Sequence, residues 1–303
     1  MKTTLLVVST LLFFGLFCGL FRDVNGDGVP ITIDYDGGIH HLMYAYAAYC
    51  SPTYLENWSC KWCGPNGANL TVTSFVNNSK YNLFGYVGYD VGQKAIFVVF
   101  RGTEESSLKN WIMNLQSSKH PIDDPALPGA KVESGFLKGW SSLKDATMQA
   151  VKQLLADPRF SDYSVVCSGH SLGGALAVGA AMATGLQFPG QNVTLVTFGQ
   201  PRVGDSVFAG YLNRYVPQTI RFVNNRDIVP HLPTELQGYQ HAPREEWIRK
   251  GELYYCSPIN GEDPTCSDSL DFTTSIDDHL DYFGIEEDPS YAPPGSPYPG
   301  YCA

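Results

Sequence analysis

Ser171 is the residue of this chain best placed for covalent chemistry. It lies in VVCSGHSLGGALAV, residues 165–178, after an apolar run typical of a strand and before small residues typical of a helix. A strand, a tight turn and a helix in this order form a nucleophile elbow. Glycines at positions 169 and 173 let the strand and the helix approach without Cβ clashes. Ser171 is therefore the predicted nucleophile, and a packing turn that happens to contain a serine is the alternative.

A serine hydroxyl needs a base to activate it, and the base needs an orienting carboxylate. On an elbow scaffold the acid and then the histidine follow the serine along the chain. Asp227 follows the strand-like segment TIRFVNN, and open α/β sheets place their sites at the carboxyl ends of strands. Asp227 is therefore the predicted acid. The acidic alternatives are Asp205, in a predicted helix cap, and Asp277, Asp278 and Asp281, which surround His279.

Three histidines follow Ser171 and are candidates for the base. His231 and His241 lie in the same predicted loop region as Asp227, whereas His279 lies far downstream in SIDDHLDYFG. A long excursion that returns a histidine on a separate loop suits the geometry of a triad better. His279 is the predicted base. His241 stays as the alternative, although a hydrogen-bonded loop position in GYQHAPREEW suits it well.

Two backbone donors are needed to stabilise the oxyanion that a serine attack creates. One is the residue after the nucleophile, Leu172, and the other comes from a loop after an earlier strand. In IFVVFRGTEE the chain leaves a strand-like run just before Thr103, which could donate its backbone N–H and its hydroxyl. A plain hairpin exit is the alternative for Thr103.

The segment SSLKNWIMNLQ, just beyond Thr103, predicts a short amphipathic helix. Its apolar residues recur at i, i+3, i+4 and i+7 and form one face. A helix of this kind on an oxyanion loop can cover a pocket when closed and present its apolar face to lipid when open. A core-facing helix is the alternative. The predicted lid residues are Leu108, Trp111, Ile112 and Leu115.

The elements that must position these residues alternate between strand and helix. Alternation of this kind predicts a mainly parallel sheet with helices on both faces, which is the α/β fold class. No linker divides the chain, so residues 27–303 are expected to form a single domain. The predicted strands are 83–89, 95–100, 163–167, 193–198 and 219–223. The predicted helices are about 32–50, 137–156, 172–183 and 204–215. The Pro-rich segments 116–130 and 288–303 are predicted to be irregular.

The amino terminus predicts export. After Met1-Lys2 an uncharged apolar run covers residues 5–21, which is short for a membrane span and typical of a signal-peptide core. Small residues predict cleavage near Gly26, so residues 1–26 are expected to be a signal peptide and the mature chain to be secreted. An uncleaved membrane anchor is the alternative, and no second apolar run of this kind follows.

Charge and cysteine content agree with an exported enzyme. The formal net charge of −10 and the absence of a Lys/Arg cluster argue against nucleic acid and anionic membranes, so contact with lipid must be hydrophobic. Cys60 and Cys63 lack a second Cys/His pair, so we expect no metal, and a serine mechanism needs no cofactor. Cys167 is expected to be a buried thiol. The cysteines expected in disulfides are Cys50, Cys60, Cys63, Cys256, Cys266 and Cys302, and the glycosylation candidates are Asn57, Asn69, Asn77 and Asn192.

Six motifs in this order resemble the class 3 lipases, the filamentous-fungal triacylglycerol lipases and their relatives. They are FRGT…NWIMNL, GHSLGGALA, TFGQPRVGD, RDIVPHLP, GYQH…EW and DHLDYFG. The resemblance implies an α/β-hydrolase fold and a lid around residues 105–114. It implies a triad of Ser171, Asp227 and His279, oxyanion donors at Thr103 and Leu172, and disulfides joining Cys50 to Cys302, Cys60 to Cys63 and Cys256 to Cys266.

The predicted function is a secreted, monomeric esterase that hydrolyses triacylglycerols through an acyl-enzyme. Many relatives carry a histidine before the long helix, where this chain reads KVESGF with Glu133, and this departure bears on the polarity of the pocket. The apolar Trp111 and Ile112 favour a lipase over a feruloyl esterase. Phospholipase A1, galactolipase and other carboxylesterase activities remain alternatives within the family, and an inactive secreted binding protein is the alternative outside it.

Overall fold

The computed structural model describes residues 32–64, 69–115 and 118–287. The predicted signal peptide, the proline-rich tail and Cys302 lie outside these residues. The strands are β1 (Thr71–Asn78), β2 (Leu83–Asp90), β3 (Ala95–Phe100), β4 (Lys119–Pro121), β5 (Lys131–Glu133), β6 (Ser164–His170), β7 (Val193–Phe198), β8 (Gln218–Asn224), β9 (Glu245–Arg249), β10 (Glu252–Tyr255), β11 (Asp281–Tyr282) and β12 (Ile285–Glu286). The helices are α1 (Tyr35–Ala47), α2 (Pro52–Glu56), α3 (Glu105–Asn114), α4 (Ser134–Leu155), α5 (Leu172–Gln187), α6 (Ser206–Tyr215) and α7 (Asp277–Leu280).

One eight-stranded sheet organises the described part of the chain, in the order β1-β2-β3-β6-β7-β8-β9-β10. Its five central strands, from β3 to β9 in that order, pair in parallel, and the outer strands pair antiparallel. The register aligns Phe100 with Gly169 and His170 with Phe198. The carboxyl ends of these strands therefore lie along one edge, and the residues that follow them meet there.

Two apolar layers cover the sheet, one on each face. β3 is buried along its whole length. Its side chains alternate: Ile96 and Val98 pack into the layer that holds α4, α5 and α6, while Phe97 and Val99 pack into the layer that holds α1. Burial on both faces explains why the central strands are continuous apolar runs rather than alternating patterns. The sheet is thus a rigid platform for its carboxyl edge.

All predicted strands and helices are present, with shifted ends. The strands predicted at 95–100 and 193–198 match β3 and β7, and the helix predicted after Ser171 continues to Gln187. The long helix begins at Ser134 rather than near residue 137. Its early start has a local cause, because the Glu133 carboxylate accepts a hydrogen bond from the Phe136 N–H at 2.8 Å and caps the helix.

Seven strands in regions without a strand prediction show where the sequence pattern failed. β1, β5, β9, β10, β11 and β12 were not predicted, and β4 lies inside the polar, Pro-rich segment 116–130. β9 begins with Glu245 and Glu246, both buried, and two adjacent acids do not resemble a sheet interior. Arg221 of β8 lies 3.6 Å from the Glu245 carboxylate and compensates this charge. Neighbouring strands therefore supply what the local pattern lacks.

Candidate active site

Ser171 lies at the turn between β6 and α5 in a backbone conformation that L-residues rarely adopt. Its φ is 58° and its ψ is −128°. Its N–H donates to the Phe198 carbonyl at 2.9 Å. A Cβ on Gly169 would overlap the backbone of Gly173, and a Cβ on Gly173 would overlap the Phe100 carbonyl. The two flanking glycines are therefore required by close backbone contacts, and the structure holds Ser171 in a strained elbow.

His279 and Asp227 lie beside this turn as a buried hydrogen-bonded pair. His279 Nδ1 donates to Asp227 Oδ2 at 2.8 Å, and neither residue is exposed. Tyr282 also donates to Asp227 Oδ2, at 2.7 Å, and the Val229 N–H donates to Oδ1 at 2.8 Å. Three donors therefore orient the Asp227 carboxylate, and one of its oxygens points at the imidazole. Sequence reasoning missed Tyr282, although it lies three residues after His279 in DHLDYFG.

The loop that carries His279 is fastened to the end of β8. The side-chain amide of Asn224 donates to the Asp278 carbonyl at 3.1 Å and also to the Asp281 carbonyl. The Ile228 N–H donates to the Ser275 carbonyl at 3.2 Å, next to the acid. These bonds bring a histidine from far downstream to the acid that follows β8. The long excursion predicted from the sequence therefore returns to the sheet edge.

His170, the residue before Ser171, packs against the His279 ring. The two ring centroids are 4.5 Å apart. His170 Nε2 donates to the His279 carbonyl at 2.8 Å, so its proton is on Nε2. Burial lowers the pKa of His170 well below its ordinary value, and His279 lowers it further. His170 is therefore neutral, and its Nδ1 accepts from the Tyr49 hydroxyl at 2.8 Å.

The atoms that would carry the reaction are enclosed. Ser171 Oγ, His279 Nε2 and Thr103 Oγ1 are buried, and none has a hydrogen-bond partner among the described residues. Leu172 is the first residue of α5, where helix N–H groups have no partner within the helix. A Cβ on Gly102, the residue before Thr103, would lie 3.1 Å from Ser171 Cβ. The loop that carries Thr103 and the first turn of α5 thus both adjoin the predicted nucleophile.

The α3 helix follows Thr103 and turns its apolar face toward the core. Leu108 is buried, while Trp111 and Leu115 are partly buried against the core and Ile112 is half-buried. A partly open cavity of about 290 Å³ lies between α3 and the start of α4 and reaches Leu172. Its lining includes Tyr81, Leu83, Trp111, Leu115, Glu133, Phe136 and Lys138. A largely apolar space beside the elbow is therefore lined on one side by the predicted lid helix.

Glu133 introduces an acidic group into this largely apolar cavity, whose lining also includes Lys138. Its side chain is buried, and burial raises the pKa of its carboxyl above the ordinary value. Backbone donors at Phe136 and Gly135, followed by the charges of Lys138 and His120, oppose that shift. Glu133 also caps α4, so its carboxyl oxygens are fixed beside the cavity. The departure noted in the sequence therefore places a carboxyl group in the cavity lining.

The other candidates for the acid and the base have different partners. His241 Nε2 donates to the Pro230 carbonyl at 2.7 Å, and His231 Nδ1 lies 3.2 Å from Asp268. Asp205 caps α6 by accepting from the Phe208 N–H. Asp278 accepts from Arg226 and Asn225, and Asp281 Oδ1 has no partner among the described residues. Among all the candidate acids and histidines, only Asp227 and His279 are hydrogen-bonded to each other beside the elbow.

The cysteines and the glycosylation candidates lie as follows. Disulfides join Cys60 to Cys63 and Cys256 to Cys266, and Cys167 is a buried free thiol. The third implied pair includes Cys302, which lies outside the described residues. No described helix has the length and hydropathy needed to span a bilayer. All four glycosylation candidates are exposed: Asn57, Asn69, Asn77 and Asn192.

A mostly parallel sheet with a strained serine at the turn after a central strand defines the α/β-hydrolase class. The family model for class 3 lipases matches residues 97–237. The lipase of Rhizomucor miehei is 34% identical over 278 residues, covering 86% of this chain and 74% of that protein. A solved structure of Rhizomucor miehei triacylglyceride lipase is 33% identical with a TM-score of 0.74, covering 82% of this chain and 94% of that one.

A second solved structure extends the similarity to another fungus. The crystal structure of a lipase from Rhizopus microsporus var. chinensis is 33% identical with a TM-score of 0.74, covering 82% of this chain and 86% of that one. The chain therefore belongs to the class 3 lipase family. It is a carboxylic ester hydrolase of the lipase type, as the motifs predicted.

Proposed function

We propose that this chain hydrolyses triacylglycerols to fatty acids and partial glycerides through an acyl-enzyme on Ser171. The observation that carries the proposal is the buried His279–Asp227 hydrogen bond beside the elbow serine, next to a cavity lined by the apolar face of α3. Asp227 orients the imidazole and stabilises its cation, and His279 is the base. The N–H groups of Thr103 and Leu172 stabilise the oxyanion.

Two half-reactions follow from these roles. In the first, His279 Nε2 takes the Ser171 proton while Oγ attacks the ester carbonyl, and the imidazolium then protonates the departing glyceride oxygen. In the second, His279 takes a proton from water, whose oxygen adds to the acyl carbon. The imidazolium returns the proton to Ser171 Oγ as the fatty acid leaves. His279 and Ser171 end in the states in which they began.

The substrate class follows from the cover over the site. The apolar face of α3 lines the cavity, and Met113 on its other side is 75% exposed. A lid of this kind can exchange its contacts with the core for contacts with an oil surface. A neutral, water-insoluble ester supplies such a surface. The apolar cavity lining suits acyl chains, which supports triacylglycerols over soluble aromatic esters.

The decisive experiment is the hydrolysis rate of tributyrin as its concentration passes the solubility limit. We expect a sharp rise in rate at the point where an emulsion forms. Simple saturation with no rise would overturn the lipase proposal and favour a soluble carboxylesterase. Ser171→Ala supplies the control, since it should abolish both the activity and covalent labelling by an alkyl phosphonate. Labelling that persists in Ser171→Ala would exclude Ser171 as the nucleophile.

We also propose that the enzyme is secreted as a monomeric single domain over residues 27–303 after cleavage near Gly26. The exposed positions of Asn57, Asn69, Asn77 and Asn192 support N-glycosylation in a eukaryotic host. Sequencing the amino terminus of the secreted protein tests the cleavage site, and the mass lost on deglycosylation tests the glycans. An amino terminus at Met1 would contradict cleavage.

A further inference from the structure

The Tyr49 hydroxyl lies between the oxyanion loop and His170, the residue before Ser171. Its oxygen packs against the backbone of Gly102, the residue before Thr103, so closely that a Cβ on Gly102 would overlap it. The same hydroxyl donates to His170 Nδ1 at 2.8 Å. One phenol therefore contacts the oxyanion loop and is hydrogen-bonded to the neighbour of His279.

The chain of bonds continues from His170 to His279. A carbonyl oxygen only accepts, so the 2.8 Å contact between His170 Nε2 and the His279 carbonyl requires a proton on Nε2. A neutral imidazole then has only an acceptor at Nδ1, and the Tyr49 proton must point to it. The network has a single consistent proton arrangement from Tyr49 to His279.

We propose that Tyr49 is a positioning residue that fixes the oxyanion loop and the catalytic histidine relative to each other through His170. The inference rests on the proposed catalytic roles of Thr103 and His279. The two groups lie on loops that follow different parts of the sheet, and no covalent link holds them in register. Attack on an ester needs the base and the oxyanion donors in register within a fraction of an ångström.

Tyr49 also suits the neutral state of His170, which burial and the neighbouring His279 favour by lowering the His170 pKa. Its hydroxyl donates to Nδ1, the acceptor position of the neutral imidazole. A cation on His170, with its ring centroid 4.5 Å from that of His279, would oppose the imidazolium that forms on His279 in the transition state. Tyr49 therefore favours a neutral neighbour for the base as well as its position.

The test is Tyr49→Phe, which removes one oxygen and keeps the ring. On a soluble short-chain ester we expect kcat to fall by on the order of tenfold or more while KM changes by less than twofold, because the bonds act on the transition state. The affinity for an alkyl boronic acid, which forms a tetrahedral adduct on Ser171, should weaken by the same factor. The matched control is Tyr86→Phe, since the buried Tyr86 hydroxyl donates to the Tyr44 carbonyl at 2.7 Å away from the catalytic groups.

Equal activity of Tyr49→Phe and Tyr86→Phe would overturn the proposal. A rise in KM with kcat unchanged would overturn it as well. A second pair of variants does not depend on how well Tyr49→Phe folds. His170→Gln retains an amide donor for the His279 carbonyl and should keep more activity than His170→Leu, and equal losses in the two would also overturn it. If these tests fail while Ser171→Ala is still inactive, the positioning role of Tyr49 is wrong and the proposed triad stands. The two failures are therefore distinguishable.

Discussion

The elbow around Ser171 and the helix α3 above it are held in place by different means. The elbow residues are unexposed, and side-chain hydrogen bonds fasten Asp227 and His279 to each other and to neighbouring strands. The α3 helix has no side-chain bond at its amino-terminal cap, and Leu108 is its one buried residue. Its remaining apolar contacts are partial. One region is fixed by polar bonds and the other is attached by a strip of apolar surface.

This difference separates the residues proposed to catalyse the reaction from the helix proposed to control how substrate reaches them. The pair of His279 and Asp227 is complete with the site closed, so opening does not have to build it. Moving α3 breaks few contacts, which is the property expected of an element that opens locally while the core stays folded. Arg101, at the base of α3, binds Glu104 at 2.8 Å and the Asn82 side chain at 2.7 Å, so the point of attachment stays fixed. Variants in the elbow should therefore reduce activity on every ester, and variants in α3 should act only at an interface.

The largest effect is expected from Asp227→Asn, which keeps the shape of the elbow region and removes its charge. An amide in place of the carboxylate no longer stabilises the imidazolium or selects its tautomer, so kcat should fall by about 10⁴-fold on soluble and emulsified esters alike. Stopped assays on both substrate forms measure this. A loss confined to emulsions would contradict the separation of chemistry from access.

A smaller loss is expected from Tyr282→Phe, within the same region. Burial and the neighbouring Asp227 raise the pKa of Tyr282 well above its ordinary value, so its hydroxyl is a permanent donor to the carboxylate. Removing a hydrogen bond to a buried charge costs roughly 2 kcal/mol, or about 30-fold in kcat. The control is again Tyr86→Phe. Unchanged kcat in Tyr282→Phe would mean that Val229 and His279 alone hold Asp227.

Sequence reasoning reached the parts of the site that have short, local signals. Ser171 has its glycines, and α3 has its helical period, and the structure gives α3 the bounds Glu105–Asn114 within the lid region named from the motifs. Tyr49 gave no such signal, because its partner His170 is 121 residues away and the α1 segment contains several tyrosines. A contact between residues that are far apart in the chain produces no periodic pattern in the sequence.

Other features were missed because the compensation for a local conflict lies elsewhere in the chain. Glu245 and Glu246 read as exposed charges, yet β9 is buried and Arg221 offsets Glu245 from the neighbouring strand. Glu133 was noted only as a departure from relatives. Its role as the cap of α4 depends on the direction of one carboxylate, which composition cannot give. Local patterns therefore indicated the proposed catalytic groups better than they indicated the polar groups around them.

On the α3 side, Trp111→Ser should reduce activity on emulsified triacylglycerol while sparing soluble esters. Trp111 lines the cavity and packs with its ring centroid 6.4 Å from that of Phe136. Contact between this ring and oil contributes to the free energy that stabilises the open lid. Loss of the ring should therefore lower the hydrolysis rate on emulsified substrate by about tenfold. Met113→Ser is the matched control on the exposed side of the same helix. Equal losses on soluble and emulsified substrates would place Trp111 in catalysis rather than in access.

The smallest effect is expected from Glu133→Gln, at the border between the two regions. Phosphodiester head groups are anionic, so a carboxylate in the cavity lining opposes them more than it opposes neutral glycerides. We expect the ratio of phospholipid to triacylglycerol hydrolysis to rise by roughly fourfold in the variant. Glutamine keeps an oxygen that can accept from the Phe136 N–H, so the cap of α4 is retained.

The pH dependence of this ratio gives the sharper test. Burial raises the pKa of Glu133 above its ordinary 4.5, while Lys138 and His120 oppose the shift. The carboxyl is therefore neutral below the raised pKa and anionic above it, so discrimination against phospholipid should grow as the pH rises through that value. In Glu133→Gln the same ratio should not follow this ionisation. A ratio with equal pH dependence in both proteins would show that the charge facing the head group lies outside Glu133, and the cavity would then discriminate by shape.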